Sequence, residues 1–196
     1  MLSIAALEGR SISVIDIGGA FLNANMNTGL RVHIRLDRNM SRIMTKLAPG
    51  YERYTDAKGC VVVKLDKALY GCVESAALWY ENLRASFSDL GYSPNIYDIC
   101  VFNRHNEHGV QCTAAIHVDD LLITSACRPM IEELAAGLKR RYGEITRKNG
   151  PVVNYLGMVF DLRTSGEAKV TMTGFVDEML RECGITGRAS TPATEG

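Results

Sequence analysis

Two apolar runs flank a pair of adjacent carboxylates at residues 113–124, where the sequence reads TAAIHVDDLLIT. Aliphatic and β-branched residues on both sides of a short polar break are typical of a β-hairpin. The pattern therefore predicts that Asp119 and Asp120 lie at a hairpin tip, where their charges repel each other. Two interpretations stay open: ordinary turn-forming aspartates, or oxygen ligands for hard divalent cations.

A third carboxylate ends an earlier predicted strand. Residues 11–16 form this strand, and Ile12, Val14 and Asp16 share one of its faces. An aspartate on an apolar face is costly to bury unless it is paired or bound to a metal. The small residues 18–20 that follow either form a simple turn or let the backbone approach a ligand closely. One strand-end acid and a hairpin pair are the minimum that would clamp two cations roughly 3.5–4 Å apart for phosphoryl transfer.

The rest of the pattern predicts a mixture of helices and strands. Apolar periodicity predicts helices over residues 2–9, 74–90, 129–142 and 175–183, and strands over residues 32–36, 60–65, 100–103, 110–117, 153–162 and 169–172. Residues 20–30 are expected to form a short helix or loop, and residues 37–59 an irregular segment marked by turns. Strands that carry acids, with two amphipathic helices over one sheet face, indicate an α+β fold.

Composition permits a packed core and shows no basic excess. Of 196 residues, 46% are hydrophobic, and 22 Lys and Arg balance 22 Asp and Glu. Nucleic-acid binders usually carry excess positive charge, so this balance argues against tight non-specific binding and leaves room for a local basic face. The six cysteines form no C-x-x-C pair, and no apolar run approaches the ~18 residues of a membrane span. We therefore expect an intracellular protein, cytoplasmic or nuclear, with no membrane partner.

The motifs around the acids resemble those of copia-type LTR-retrotransposon reverse transcriptases. The matching blocks are DIGGAFLN at residues 16–23, KLDKALYG at 64–71, WY at 79–80, HVDD at 117–120, NYLG at 154–157 and the stretch 174–191. The first block is similar to the family's first catalytic motif, and HVDD is similar to its x-V-D-D motif. These blocks follow the family's order over nearly the whole chain.

The resemblance implies an RNA-directed DNA polymerase, a nucleotidyltransferase with a palm fold. That fold is an antiparallel sheet with helices packed on one face, expected here over residues 1–165, with the start of a thumb or connection over residues 166–196. By resemblance, Asp16, Asp119 and Asp120 hold two Mg²⁺ ions, or Mn²⁺ in their place. The backbone carbonyl of Ile17 would add a metal ligand. The reaction implied is transfer of a dNTP onto a primer 3′-hydroxyl on an RNA/DNA template.

The resemblance also assigns positions near the incoming nucleotide. The amides around Ala20 and Phe21 would lie near the triphosphate, and the Phe21 ring would pack beneath the sugar and exclude a 2′-hydroxyl. From its residue type alone, Phe21 is equally a core aromatic. The family usually has Gln-Ala-Pro-Arg where this chain has Glu-Ser-Ala-Ala at residues 74–77. Glu74 would therefore bring an acid near phosphates, and His117 replaces the more common Tyr.

The implied partners are an RNA/DNA template–primer, a dNTP and the rest of a retrotransposon polyprotein. We expect this piece to lack most of the fingers and the ribonuclease H region. The departure from the family's pattern at residues 74–77 leaves two interpretations open. The chain is either a polymerase palm, active or inactive as an isolated fragment, or a non-catalytic remnant that binds nucleic acid or a protein partner.

Two further clusters have competing interpretations. The basic residues Lys139, Arg140, Arg141, Arg147 and Lys148 either contact template–primer phosphates or reflect a helix end that favours cations. Zinc binding near His105 and His108, with Cys100 and Cys112, is disfavoured because the spacing is not that of a closed zinc site.

Overall fold

Helices and strands are interspersed along the whole chain. The computed structural model describes residues 1–27, 29 and 31–187. The helices are α1 Leu2–Leu7, α2 Arg38–Leu47, α3 Ser75–Asp89, α4 Arg128–Tyr142 and α5 Thr173–Glu182, with 3₁₀ helices at Ala20–Asn23 and Pro49–Tyr54. The strands are β1 Ser11–Ile17, β2 His33–Leu36, β3 Val61–Lys64, β4 Ser93–Pro94, β5 Val101–His105, β6 Gln111–His117, β7 Asp120–Ser125, β8 Ile145–Asn149, β9 Val152–Tyr155, β10 Met158–Asp161 and β11 Lys169–Thr171. The parts of the predicted elements and motifs that fall on residues 28, 30 and 188–196 lie outside this description.

The chain divides into two compact units. The first contains residues 1–16 and the described residues from 92 onward, and the second contains residues 17–91. The first unit holds a six-stranded sheet in the order β4-β5-β6-β7-β1-β8 and a three-stranded sheet in the order β11-β10-β9, and the second holds the pair β2-β3. The predicted α+β class with antiparallel sheets is confirmed. The palm–thumb boundary after residue 165 stays a prediction.

The helix α4 covers one face of the six-stranded sheet. Antiparallel pairing places Ile15 of β1 opposite Leu121 of β7, and both side chains are fully buried. The same face carries Ser125, whose Oγ lies 4.0 Å from the sulfur of Met130 in α4. Because α4 contacts both β7 and β8, its apolar stripe closes this side of the sheet, as its sequence periodicity predicts. The second helix expected there, α3, belongs to the other unit.

The small three-stranded sheet covers the opposite face. Its buried residues join those of the large sheet in one cluster of Ile12, Val14, Leu122, Val153, Tyr155 and Phe160. Each such side chain stabilises the fold by roughly 1.5–3 kcal/mol relative to an exposed position. This cluster fixes β9 and β10 beside the face of β1 that also carries Asp16.

The prediction of one strand over residues 153–162 is wrong. The chain reverses at Leu156 and Gly157, with φ angles of 49° and 76°, and β9 pairs back with β10. Two consecutive positive φ angles are typical of a type I′ hairpin turn, which usually begins with Asn or Asp. Leu156 hides that signal in the sequence, because Leu rarely adopts a positive φ.

The prediction that residues 37–59 are irregular is also wrong, because α2 occupies residues 38–47. Asp37 caps this helix: its Oδ1 accepts a hydrogen bond from the Met40 amide at 2.8 Å. Ser41 is its buried residue. The Ser41 hydroxyl donates to the Leu36 carbonyl at 3.2 Å and accepts from the Val61 amide at 2.9 Å, which ties the helix to β2 and β3.

Two smaller findings complete the fold. Strand β8 was not predicted, because its sequence ITRKN is mostly polar and one of its two half-buried residues, Arg147, is charged. Within the described ranges, no helix combines the length and apolar character needed to cross a lipid bilayer.

Candidate active site

Asp16 and Asp120 face each other on neighbouring strands. Asp16 is the penultimate residue of β1, Asp120 is the first residue of β7, and the antiparallel register makes them direct partners. Side chains of such partners lie on the same face of the sheet. The structure therefore brings the residue-16 carboxyl to the hairpin tip that carries Asp119 and Asp120, although these residues are far apart in the sequence.

The hairpin tip contains a strained residue. Between His117 and Asp120 the chain turns through Val118 and Asp119, and Val118 has a φ of 56°. A β-branched residue in this left-handed region is an outlier that costs on the order of 1–3 kcal/mol. Such strain is concentrated at functional sites, where the surrounding structure holds the backbone in place. The sequence gives no sign of it, because Val is not a turn-forming residue.

Asp119 and Asp16 lie close enough to Asp120 to influence its charge. Burial raises the pKa of Asp120 above its ordinary value, and the negative charges of Asp119 and Asp16 raise it further. His117, the partner of Asp120 on β6, acts in the opposite direction. Across the described residues, none of the three carboxylates forms a hydrogen bond or an ion pair. A cation held between them would relieve their mutual repulsion.

The three carboxylates supply oxygen donors, the ligand type that hard cations prefer. In the described part of the chain, no group of three or more His, Cys, Asp or Glu side chains is already arranged to hold a metal ion. Mg²⁺ is usually bound by one or two carboxylates together with substrate phosphates and water, not by a complete protein cage. Three carboxylates near one another offer that kind of partial site. Ile17, whose carbonyl was predicted as a further ligand, directly follows Asp16 at the end of β1.

A cleft of about 200 Å³ adjoins two of the acids. Its lining residues are Val14, Asp16, Asp120, Thr146, Lys148 and Asn154. Two residues of the predicted basic cluster, Arg147 and Lys148, are neighbours in β8, so their side chains lie on opposite faces of the sheet. Arg147 points away and donates to Ser13 Oγ at 3.1 Å and to Glu132, whereas Lys148 lines the cleft with the acids. Lys148 is thus the member of the cluster that can meet an anionic ligand at this site.

Tyr155 was overlooked as a site residue. Burial raises its pKa to about 12, and the charges of Asp120 and Cys100 contribute to the rise. Its ring belongs to the apolar cluster that packs against β1 and β7. The sequence contained this residue within the NYLG block, but its position depends on the packing of β9 against Ile12, Val14 and Leu122.

The predicted nucleotide contacts Ala20, Phe21 and Glu74 belong to the second unit, residues 17–91. The Phe21 side chain is buried, and its ring centroid lies 4.3 Å from that of Tyr70. This contact is what the core-aromatic interpretation expects, and the sugar-contacting role stays a prediction. Glu74 precedes the first turn of α3. Among the described residues its carboxylate has no hydrogen-bond partner, and an acid at this end of a helix is electrostatically favourable.

The residues of the disfavoured zinc site point in different directions. Cys112 lies on the α4 side of the sheet, opposite Ser125 of β7, and burial raises the pKa of its thiol. The charge of Cys100 contributes to the raised pKa of Tyr155, whose ring packs against the opposite face of the sheet. His108 pairs with Glu107 in the loop between β5 and β6.

Comparisons with known proteins show what this chain is similar to. A family model described as reverse transcriptase (RNA-dependent DNA polymerase) matches residues 1–194. The retrovirus-related Pol polyprotein from transposon TNT 1-94 of Nicotiana tabacum is 23% identical over 181 residues, which are 92% of this chain and 12% of that protein. The chain thus spans about an eighth of this curated relative. A solved structure of apo telomerase from Candida tropicalis, truncated from the C-terminal domain, aligns with a TM-score of 0.45 and 11% identity over 83% of this chain and 35% of that chain.

Proposed function

Because this chain belongs to the reverse transcriptase (RNA-dependent DNA polymerase) family, we propose that Asp16, Asp119 and Asp120 are the catalytic acids of its polymerase palm. Its motifs and its curated relative are of copia type. The proposed reaction adds a deoxynucleotide to a primer 3′-hydroxyl on an RNA/DNA template. The observation that carries the proposal is the pairing of Asp16 with Asp120 beside Asp119 at the tip of the β6–β7 hairpin.

The proposed cofactor is a pair of Mg²⁺ ions, with Mn²⁺ as a substitute. When bound, such ions lower the pKa of the attacking hydroxyl and stabilise the pyrophosphate leaving group. Asp16, Asp119 and Asp120 would supply carboxylate ligands, and the Ile17 carbonyl would add a backbone ligand. Burial raises the pKa of Asp120, and the charges of Asp119 and Asp16 raise it further; this repulsion favours binding of positive charge.

The chain's own groups have further proposed roles. Lys148 places a positive charge in the cleft beside the acids, where it would attract the phosphates of the template–primer or the nucleotide. The buried Tyr155 ring packs in the apolar cluster with Ile12, Val14 and Leu122 and would support β1 and β7 beneath the acids. In the second unit, Ala20, Phe21 and Glu74 are proposed to contact the incoming nucleotide, with Phe21 discriminating against ribonucleotides.

Primer extension tests the proposed function. Purified chain is mixed with an RNA template annealed to a labelled DNA primer, Mg²⁺ and dNTPs, and product length is measured on a gel. We expect Asp119→Asn to reduce extension by at least a thousandfold, since one charge-bearing ligand is lost from the reacting centre. Asp177→Asn, an exposed aspartate of α5, is the matched control and should extend as the unchanged chain does. Normal extension by the Asp119 variant would refute the assignment.

A non-catalytic remnant is the second candidate. The Glu-Ser-Ala-Ala run at residues 74–77 and the zero net charge of the chain favour it. A remnant would bind nucleic acid or a protein partner and give no extension product with either Mg²⁺ or Mn²⁺. Extension by the isolated chain would therefore exclude the non-catalytic remnant. For both, the proposed partners include the remaining parts of a polyprotein, and the proposed location is the cytoplasm or nucleus.

A further inference from the structure

Positive charge is concentrated in one part of the chain. Residues 31–67 contain nine Lys and Arg against four Asp and Glu, an excess of five, although the whole chain has a net charge of zero. This segment lies within the second unit and includes β2, α2 and β3. An electrostatic footprint of this kind is typical of a surface that meets a polyanion.

The helix α2 presents part of this charge as a stripe. Arg38, Arg42 and Lys46 recur every fourth residue and are all exposed, so successive charges lie about 6 Å apart along the helix. Arg38 is anchored, because its Nε donates to the Lys58 carbonyl at 3.2 Å. In the described part of the chain, the side chains of Arg42 and Lys46 form no hydrogen bond or ion pair. Two positive charges of the stripe are thus available to an external anion.

Exposed aromatic rings follow this helix directly. Tyr51 and Tyr54 lie in the 3₁₀ helix Pro49–Tyr54, which packs against α2, and their side chains are 41% and 56% exposed. Their ring centroids are 6.2 Å apart, and the Arg53 guanidinium lies 4.8 Å from the Tyr54 centroid. Basic side chains that follow a backbone, combined with aromatic rings on which bases stack, are how proteins bind single strands without sequence preference.

We propose that Arg42, Lys46, Tyr51 and Tyr54 form a surface that binds single-stranded RNA, with phosphates along the α2 stripe and bases against the tyrosines. The proposal rests on the proposed function only in choosing RNA among polyanions. The competing partner is an anionic membrane, since Met40, Ile43 and Leu47 of α2 are also exposed. The accessible aromatic rings favour RNA, because stacking uses the flat faces that the tyrosines offer.

Binding of a short labelled RNA to the full chain tests this surface. Anisotropy is measured in EDTA without nucleotides, so the result does not depend on catalysis or on the active-site acids. We expect Arg42→Glu with Lys46→Glu to weaken binding at least tenfold. The slope of log affinity against log salt should flatten by roughly 1.4, about 0.7 for each lost phosphate contact. Tyr51→Ala with Tyr54→Ala should weaken binding about fivefold or more and leave that slope unchanged.

Matched variants separate a local surface from overall charge. Arg84→Glu with Arg181→Glu changes the net charge equally, on α3 and α5, and should alter RNA affinity by less than about twofold. Arg42→Gln with Lys46→Gln should give an intermediate loss, and circular dichroism checks that each variant folds. Equal losses in the stripe and control variants would overturn the proposal. So would a stripe variant that retains RNA affinity but no longer binds vesicles of anionic phospholipid.

Discussion

In the β6–β7 hairpin most residues are buried, and Leu121 and Ile123 have no exposed surface. In α2, by contrast, Ser41 is the buried residue, and Leu47 is 82% exposed. The hairpin is held by apolar packing on both of its faces. The helix is held by the Asp37 cap and by the two hydrogen bonds of the Ser41 hydroxyl.

This difference matches what each region is proposed to do. A reacting centre needs acids held on rigid elements, and the hairpin with its neighbour β1 supplies them even though Asp119 and Asp16 repel Asp120. A surface that follows a flexible strand needs accessible side chains, and α2 exposes nearly all of its own. The loss of a buried contact should therefore destabilise the hairpin strongly, whereas α2 should depend on a few polar groups.

The largest expected effect comes from truncating matched leucines in the two regions. Leu121→Ala in β7 should lower the free energy of unfolding by about 2–5 kcal/mol, because it leaves a cavity in a packed core. Leu47→Ala in α2 should change it by less than about 0.5 kcal/mol. Urea unfolding measures both variants. Similar losses in the two would contradict the contrast between buried hairpin and exposed helix.

The cap of α2 should give a smaller effect. Asp37→Ala removes the acceptor of the Met40 amide, which should cost about 1 kcal/mol of stability. Asp37→Asn keeps an acceptor at the same position and should lower the stability by only about 0.3 kcal/mol. Thermal unfolding followed by circular dichroism compares the two variants. An Ala variant as stable as the Asn variant would show that the cap does not hold α2.

The same contrast explains what could be predicted from the sequence. The hairpin and the amphipathic α4 were predicted because buried apolar residues leave a periodic pattern, and the approach of Asp16 to the tip followed from the family resemblance. The helix α2 was missed because its apolar residues are exposed and its support is a cap and one buried serine. The split of β9 from β10 was missed because Leu156 adopts a positive φ, which leucine does not signal. The position of Lys148 beside the acids depends on the unpredicted β8. The position of Tyr155 depends on the packing of β9 against the large sheet.

The smallest expected effect has the opposite sign and concerns the acids. Asp120→Asn should raise the stability of the metal-free chain by about 0.2–1 kcal/mol at neutral pH, because like charges on cross-strand partners are destabilising. The folded-state pKa of Asp120 is raised by burial and by Asp119 and Asp16. Stability should therefore fall as pH rises from the ordinary aspartate range through this raised pKa, and then level off.

Asp161 provides the matched comparison for this pH dependence. Hydrogen bonds from Arg163 lower the pKa of Asp161 to about 2, so its contribution is present above the ordinary aspartate range and is lost as pH falls toward that value. Asp161→Asn should thus reduce stability at neutral pH, whereas Asp120→Asn should increase it. Urea unfolding at a series of pH values measures both variants. If both variants changed the free energy of unfolding in the same direction at neutral pH, the proposed repulsion among the three acids would be contradicted.

Cation binding at the three acids is tested most directly by counting bound Mn²⁺. Electron paramagnetic resonance of free Mn²⁺ would be recorded with the full chain, a template–primer and a non-hydrolysable dNTP analogue. We expect roughly two ions bound per chain, and the loss of at least one in Asp16→Asn and in Asp119→Asn. Unchanged binding in a variant with all three aspartates replaced by Asn would contradict the proposal that these acids form the metal centre.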